Sequence, residues 1–176
     1  MSRDTPHPVP GRDTQTVDPR LETIREALNT VPDPEIPTLN VVELGMIAGV
    51  RVEDEGIVVD MTPTFAGCPA LDVIRADIAR AVKETGEPSV RVNVVYDPPR
   101  TSDRITEEGR RKLKEFGLAP PGERCSGGGA VDLERTECPY CGSNETDLES
   151  IFGPTLCRSM HYCHNCQQPF EHFKAV

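Results

Sequence analysis

A chain of 176 residues with a net charge of −10 and no tryptophan is sized for one modest domain and a smaller companion. The acidic balance argues against a protein whose main task is gripping nucleic-acid phosphates. No apolar run approaches the roughly 20 residues of a membrane span, and the start lacks the apolar core of a signal peptide, so a cytoplasmic location is expected. Seven cysteines in that compartment point to metal or redox chemistry before disulfides.

Residues 1–18 are proline-rich and almost free of apolar side chains, which predicts a flexible arm. Helical spacing then begins at Leu21, Ile24, Leu28 and Val31, with Asp18 placed to cap it and Pro19 inside the first turn. The helix must stop before Pro32-Asp33-Pro34-Glu35-Ile36-Pro37, where three prolines impose an extended or turning loop. That loop reads either as a stiff connector or as a mount holding Asp33 and Glu35 beside a site. Beyond Gly45 a strand follows, with Ala48, Val50 and Val52 expected on one face. Asp54-Glu55-Gly56 turns the chain into a return strand that alternates Ile57, Val59 and Met61.

The return strand runs into Met61-Thr-Pro-Thr-Phe-Ala-Gly-Cys68-Pro-Ala70, and helical spacing resumes at Leu71, Ile74, Ile78 and Val82. Pro69 at the start of that helix places Cys68 at or near its N-cap. There the free N–H groups and the dipole favour a thiolate, lowering the cysteine pKa and making the sulfur a better nucleophile and metal ligand. The competing reading is a small buried hydrophobe at a tight turn. A third strand alternates Val90, Val92, Val94 and Tyr96, and a polar helix over 103–116 buries Ile105, Leu113 and Phe116. Its Arg110, Arg111, Lys112 and Lys114 read as a solvated face.

The fold class is therefore α+β, a small three-stranded mixed sheet with helices in the order α-β-β-α-β-α over residues 19–117. Residues 118–136 read as a linker containing Cys125, and residues 137–176 as a C-terminal zinc ribbon. Cys138-Pro-Tyr-Cys141 and Cys163-His-Asn-Cys166 are two C-x-x-C pairs, each able to offer two sulfurs on a tight knuckle. Together they complete a tetrahedron for zinc, although an iron–sulfur cluster could use the same four thiolates. So short a segment has too little core to fold unaided, and metal binding supplies the missing free energy. Cys157, His161 and His164 are spare ligands nearby. The two histidines read as surface residues, and Cys157 as either packed or reactive.

Asp33-Pro-Glu-Ile-Pro37, Val42-Glu-Leu-Gly45-Met and Thr64-Phe-Ala-Gly-Cys68-Pro-Ala70 together resemble the SufT-like metal–sulfur cluster assembly factor domain. The stretch Ile105 to Pro121, Phe152-Gly-Pro-Thr-Leu-Cys157-Arg, Pro169-Phe170 and Phe173-Lys174 resemble the PaaD family, an accessory component of the multicomponent phenylacetyl-CoA epoxidase. Arg100 and Arg104 depart from that family's usual tryptophans, and Pro154 from its serine. The resemblance implies a non-catalytic maturation factor that assists iron–sulfur or iron centre assembly in the epoxidase system. It makes Cys68 the functional thiol and Asp33 and Glu35 an acidic loop, and it raises Cys125 and Cys157 as additional thiols. It implies structural zinc, with a cluster or iron handled transiently. Its implied partners are epoxidase subunits or their iron–sulfur reductase, together with cluster assembly machinery. Homo-oligomerisation stays open, and neither nucleic acid nor membrane is expected.

Two other readings compete. A structural subunit of the oxygenase complex is one, and a zinc-ribbon nucleic-acid binder is the other. The second lacks interleaved basic and aromatic residues. The Glu-x-x-His pairs of a di-iron oxygenase are absent, and a four-cysteine site has no open coordination position for hydrolysis.

Overall fold

The computed structural model describes residues 18–65, 67–96, 101–122 and 136–174. Helix α1 (Pro19–Leu28) opens as the sequence predicts: the Asp18 carboxylate accepts the Arg20 N–H at 3.0 Å, and Pro19 fills the first helical position. Its Ile24 and Leu28 are buried. Strands β1 (Ile47–Glu53) and β2 (Gly56–Met61) form an antiparallel hairpin. Helix α2 (Leu71–Glu84) then crosses over so that β3 (Val90–Val94) lies parallel to β2, giving the sheet order β1-β2-β3. Helices α1 and α2 pack together, and α2 covers β3 through a core that includes Val59, Met61, Ile74, Ile78 and Val82.

Four details depart from the sequence reading. A bulge between Ile47 and Gly49 turns Ala48 outward, so Ile47, Val50 and Val52 are the residues that pack on the core. The polar helix divides: a 3₁₀ turn over Ser102–Arg104 precedes α3 (Glu107–Glu115), which the Thr106 hydroxyl caps by accepting the Gly109 N–H at 2.9 Å. Ile105 and Leu113 are buried as expected, but Phe116 is exposed. The basic face of α3 is also not simply solvated. Lys112 pairs with Glu43 at 2.5 Å, and Arg110 donates to the Ser102 carbonyl at 3.0 Å.

Gly45 shows why the turn before β1 has no side chain. It adopts φ +66°, and a Cβ there would lie 2.3 Å from the Arg104 carbonyl oxygen. The start of β1 and the 3₁₀ turn are thereby pressed together, and the Arg104 guanidinium donates to the Ile47 carbonyl at 2.8 Å.

A second sheet runs β4-β7-β6-β5, where β4 is Leu118–Ala119, β5 Thr146–Ser150, β6 Arg158–Cys163 and β7 Gln168–Phe173. Leu118 and Ala119, at the head of the stretch read as linker, are thus strand residues paired in parallel with Glu171 and His172. Leu118 and Phe173 both join the core of the first domain, so the two units share apolar contacts as well as a chain.

Candidate metal and thiol sites

The two knuckles fold by one rule. In each, the residue after the second cysteine turns left-handed and donates its N–H to the carbonyl of the first. Gly142 does so at φ +73° and 2.9 Å from the Cys138 oxygen, and Gln167 at φ +57° and 2.9 Å from the Cys163 oxygen. Four sulfurs converge as a result, with Cys138, Cys141, Cys163 and Cys166 Sγ all within 4.8 Å of one another. Cys138 Sγ lies 3.7 Å from Cys166 Sγ, and Cys141 Sγ lies 3.6 Å from Cys163 Sγ. A tetrahedron with metal–sulfur bonds of about 2.3 Å has edges of about 3.8 Å, so the donor set fits a thiolate-bound metal ion.

The acid–base behaviour points the same way. The Asn165 amide and the Ser143 N–H pull Cys141 down to about 6, whereas burial and the three neighbouring sulfurs push Cys166 up to about 12. Four sulfurs this close cannot all ionise against one another, and a dication relieves the repulsion. Among the described residues, this is the one group of three or more ligating side chains converged enough to hold a metal.

Behind the tetrahedron lies a group whose placement differs from the sequence reading. His161, expected at the surface, is fully buried. Its Nε2 lies 3.0 Å from the Ser159 hydroxyl, which in turn lies 3.4 Å from His172 Nδ1. Burial, and then His161 alongside, lowers His172 to about 4. His164 is exposed as expected, with Nε2 2.7 Å from the Asp147 carboxylate.

The second site surrounds Cys68. Helix α2 starts at Leu71, with Ala70 in the capping position and no side-chain cap, so Cys68 lies two residues before the N-cap it was expected to occupy. One extra turn intervenes: the Cys68 N–H donates to Phe65 at 3.1 Å and the Leu71 N–H to Cys68 at 3.3 Å. The expected low pKa is reversed as well. Burial pushes the half-buried thiol above its ordinary value, and Glu35, Asp33 and Cys157 push in the same direction. The Ala70 N–H, directed at the sulfur, opposes them without prevailing. At neutral pH Cys68 is therefore a protonated thiol.

Glu35 and Asp33 of the proline loop are the carboxylates whose charge acts on this thiol. Asp33 is fixed by accepting the Glu35 and Ile36 N–H groups at 2.8 and 2.9 Å. Glu35 faces Arg158, whose guanidinium lies 3.7 Å away while also reaching Glu171 at 2.8 Å. Arg158, more than nine-tenths buried, was not singled out from sequence, because nothing local says that a residue at the head of β6 meets a loop more than 100 positions earlier. Cys157 is half-buried and packs on the first domain's core. Cys125 lies outside the described residues.

An α+β domain carrying a half-buried thiol and a proline-locked acidic loop, followed by a ribbon in which four cysteines converge, defines the class: an α+β domain fused to a four-cysteine β-ribbon. Residues 21–94 match the family model for iron–sulfur cluster assembly proteins, and residues 126–174 match the PaaD zinc β-ribbon domain. Over 159 residues the chain is 38% identical to a putative 1,2-phenylacetyl-CoA epoxidase component of Escherichia coli K12, covering 90% of this chain and 94% of that one. It is 39% identical over 94 residues to an Fe–S protein maturation auxiliary factor of Porphyromonas gingivalis, covering 52% of this chain and 89% of that protein. A DUF59 domain structure from Bacillus anthracis superposes with a TM-score of 0.50 at 27% identity, covering 53% of this chain and 91% of that one. The chain belongs to the PaaD-like family, in which an iron–sulfur assembly domain precedes a zinc ribbon. No helix among the described residues is long and apolar enough to cross a membrane.

Proposed function

We propose that this protein is a non-catalytic accessory factor of a phenylacetyl-CoA epoxidase system, assisting assembly of an iron–sulfur or iron centre in one of that system's proteins. The observation that carries the reading is the joining, in one chain, of an iron–sulfur assembly domain and the PaaD ribbon, with 38% identity across nearly the whole length of an epoxidase component. In this reading residues 19–117 handle the cargo and Cys68 is the sulfur that touches it. The four cysteines of residues 137–176 hold a structural zinc. Its partners are the epoxidase subunits or their iron–sulfur reductase, together with the machinery that supplies clusters, in the cytoplasm.

The chemistry supports a carrier over a catalyst. The four-cysteine site is closed, so it offers no open position for a reaction. Cys68 lies near carboxylates that favour a cation, and its raised pKa keeps it quiet until one arrives. Co-expression of Cys68→Ser with the epoxidase subunits tests the reading. The variant should fold and keep its metal, because Cys68 caps no helix, while the client's iron content and epoxidase activity collapse. Full activity with the serine would leave a structural subunit as the better description.

A further inference from the structure

Three consecutive residues leading into β6 meet the first domain at its thiol loop. The Leu156 side chain comes within 3.9 Å of where a Cβ on Gly67 would lie, one residue before Cys68. Arg158 lies 3.7 Å from the Glu35 carboxylate. Cys157, between them, packs against the first domain's core. The segment is held in place from both sides. Thr155 Oγ1 lies 3.1 Å from Cys157 Sγ, and the Lys174 N–H donates to the Cys157 carbonyl at 2.9 Å. Lys174 Nζ itself stands 6.0 Å from the centre of the Phe65 ring. Arg158 Nε, buried and without a hydrogen-bond partner among the described residues, leaves one donor unspent at this junction.

We propose that Cys157 is the second ligand of the Cys68 site, so that a thiophilic cargo, iron(II) or a small iron–sulfur unit, is held between one thiolate from each domain. The proposal deepens the reading of Cys68 as the cargo thiol and rests on it. Loading requires no oxidant. Each thiol gives its proton to solvent, two metal–sulfur bonds form, and two waters leave the hydrated cation. Glu35 and Asp33 supply negative charge beside the metal, while Arg158 keeps Glu35 turned towards the junction. Two protein ligands leave the remaining positions open, which suits a cargo released by ligand exchange, whereas the four-cysteine tetrahedron holds its metal permanently. The ribbon then serves as half of the site, which explains why its strands are fastened to the assembly domain.

Cobalt(II) tests this as a spectroscopic stand-in for iron(II). The zinc-loaded full chain, titrated without oxygen, should develop thiolate-to-cobalt charge-transfer absorption saturating at one added equivalent, with its zinc retained. Cys68→Ser and Cys157→Ser should each weaken binding by about tenfold or more, and Cys125→Ser should leave it unchanged. A bifunctional thiol reagent should join Cys68 to Cys157 in the wild-type chain, located by peptide mass mapping, and cobalt should block the reaction. The cross-link needs no variant, so it decides the matter even if Cys157→Ser folds badly. Cobalt binding unaffected by Cys157→Ser but lost in Cys68→Ser overturns the proposal and leaves Cys68 acting alone. Absence of any cobalt beyond the zinc site, or of any cross-link, overturns it too.

Discussion

Gly142 and Gln167 occupy equivalent places in the two knuckles, yet only the first is the residue that left-handed backbone favours. Gln167→Gly should therefore stabilise the metal-loaded ribbon by about 0.5–1 kcal/mol, read from thermal unfolding, and Gly142→Ala should destabilise it by about 1–2 kcal/mol. A fall in stability for Gln167→Gly would show that the glutamine side chain matters more than its backbone. At Cys68 the sign of the pKa shift makes a second prediction. A thiol held above its ordinary pKa should alkylate slowly at pH 7, and its rate should still be climbing above pH 9. Glu35→Gln removes a like charge, which lowers the thiol pKa. Iodoacetamide labelling of the Cys68 peptide at pH 7 should quicken several-fold in that variant. A fast wild-type reaction, flat between pH 7 and 9, would contradict the burial argument.

Among the elements, β6 and β7 carry a buried load that acid should expose. His172 titrates near 4 in the fold and near 6.5 when unfolded, so between those values the unfolded chain binds the extra proton. Stability is then fully present above about 6.5 and is lost as the pH falls towards 4. This one group should cost about 2 kcal/mol between pH 7 and 5. His172→Gln should flatten that slope in unfolding curves, and the difference between the two proteins separates the histidine from metal loss. An identical slope in both would remove the explanation.

The same strands show what was legible in the sequence. Counting back in twos from Cys163 places Ser159 and His161 on its buried face, a signal carried by strand alternation that a surface assignment of His161 overlooks. The start of α1 was readable because Asp18 and Pro19 act locally. The start of α2 was not, because the extra turn through Phe65 and Leu71 mimics the proline signal of a cap. In β1 strict alternation puts Ala48 inward, and the bulge between Ile47 and Gly49 that turns it out is invisible to a period of two. The convergence of the four cysteines was legible because C-x-x-C spacing is itself the geometry. The meeting of Arg158 with Glu35 was not, since it depends on how two separately patterned units dock.

On the scale of the whole molecule, Phe173 is a residue of the ribbon buried in the core of the other domain. Phe173→Ala should cost about 3–5 kcal/mol, the range for emptying a buried aromatic site. The loss should register as faster hydrogen exchange in α2 and β2 as well as in β7. Protection changes confined to the ribbon would mean that the two cores are independent. Stripping the metal with a chelator should act through the same route: the ribbon loses on the order of 10 kcal/mol of folding free energy, β7 frays, and the assembly domain's midpoint falls with it. An assembly domain that melts at an unchanged temperature after chelation would refute that coupling.

The pairing of β4 with β7 joins residues more than 50 positions apart, and this sets an order of events at the ribosome. Residues 19–117 should emerge and collapse with the place of Phe173 unfilled, the gap closing only when the final strand has formed. The chain thus waits on its last ribbon strand before its first domain is complete. Zinc-starved cells should accumulate it as a protease-sensitive, half-finished chain.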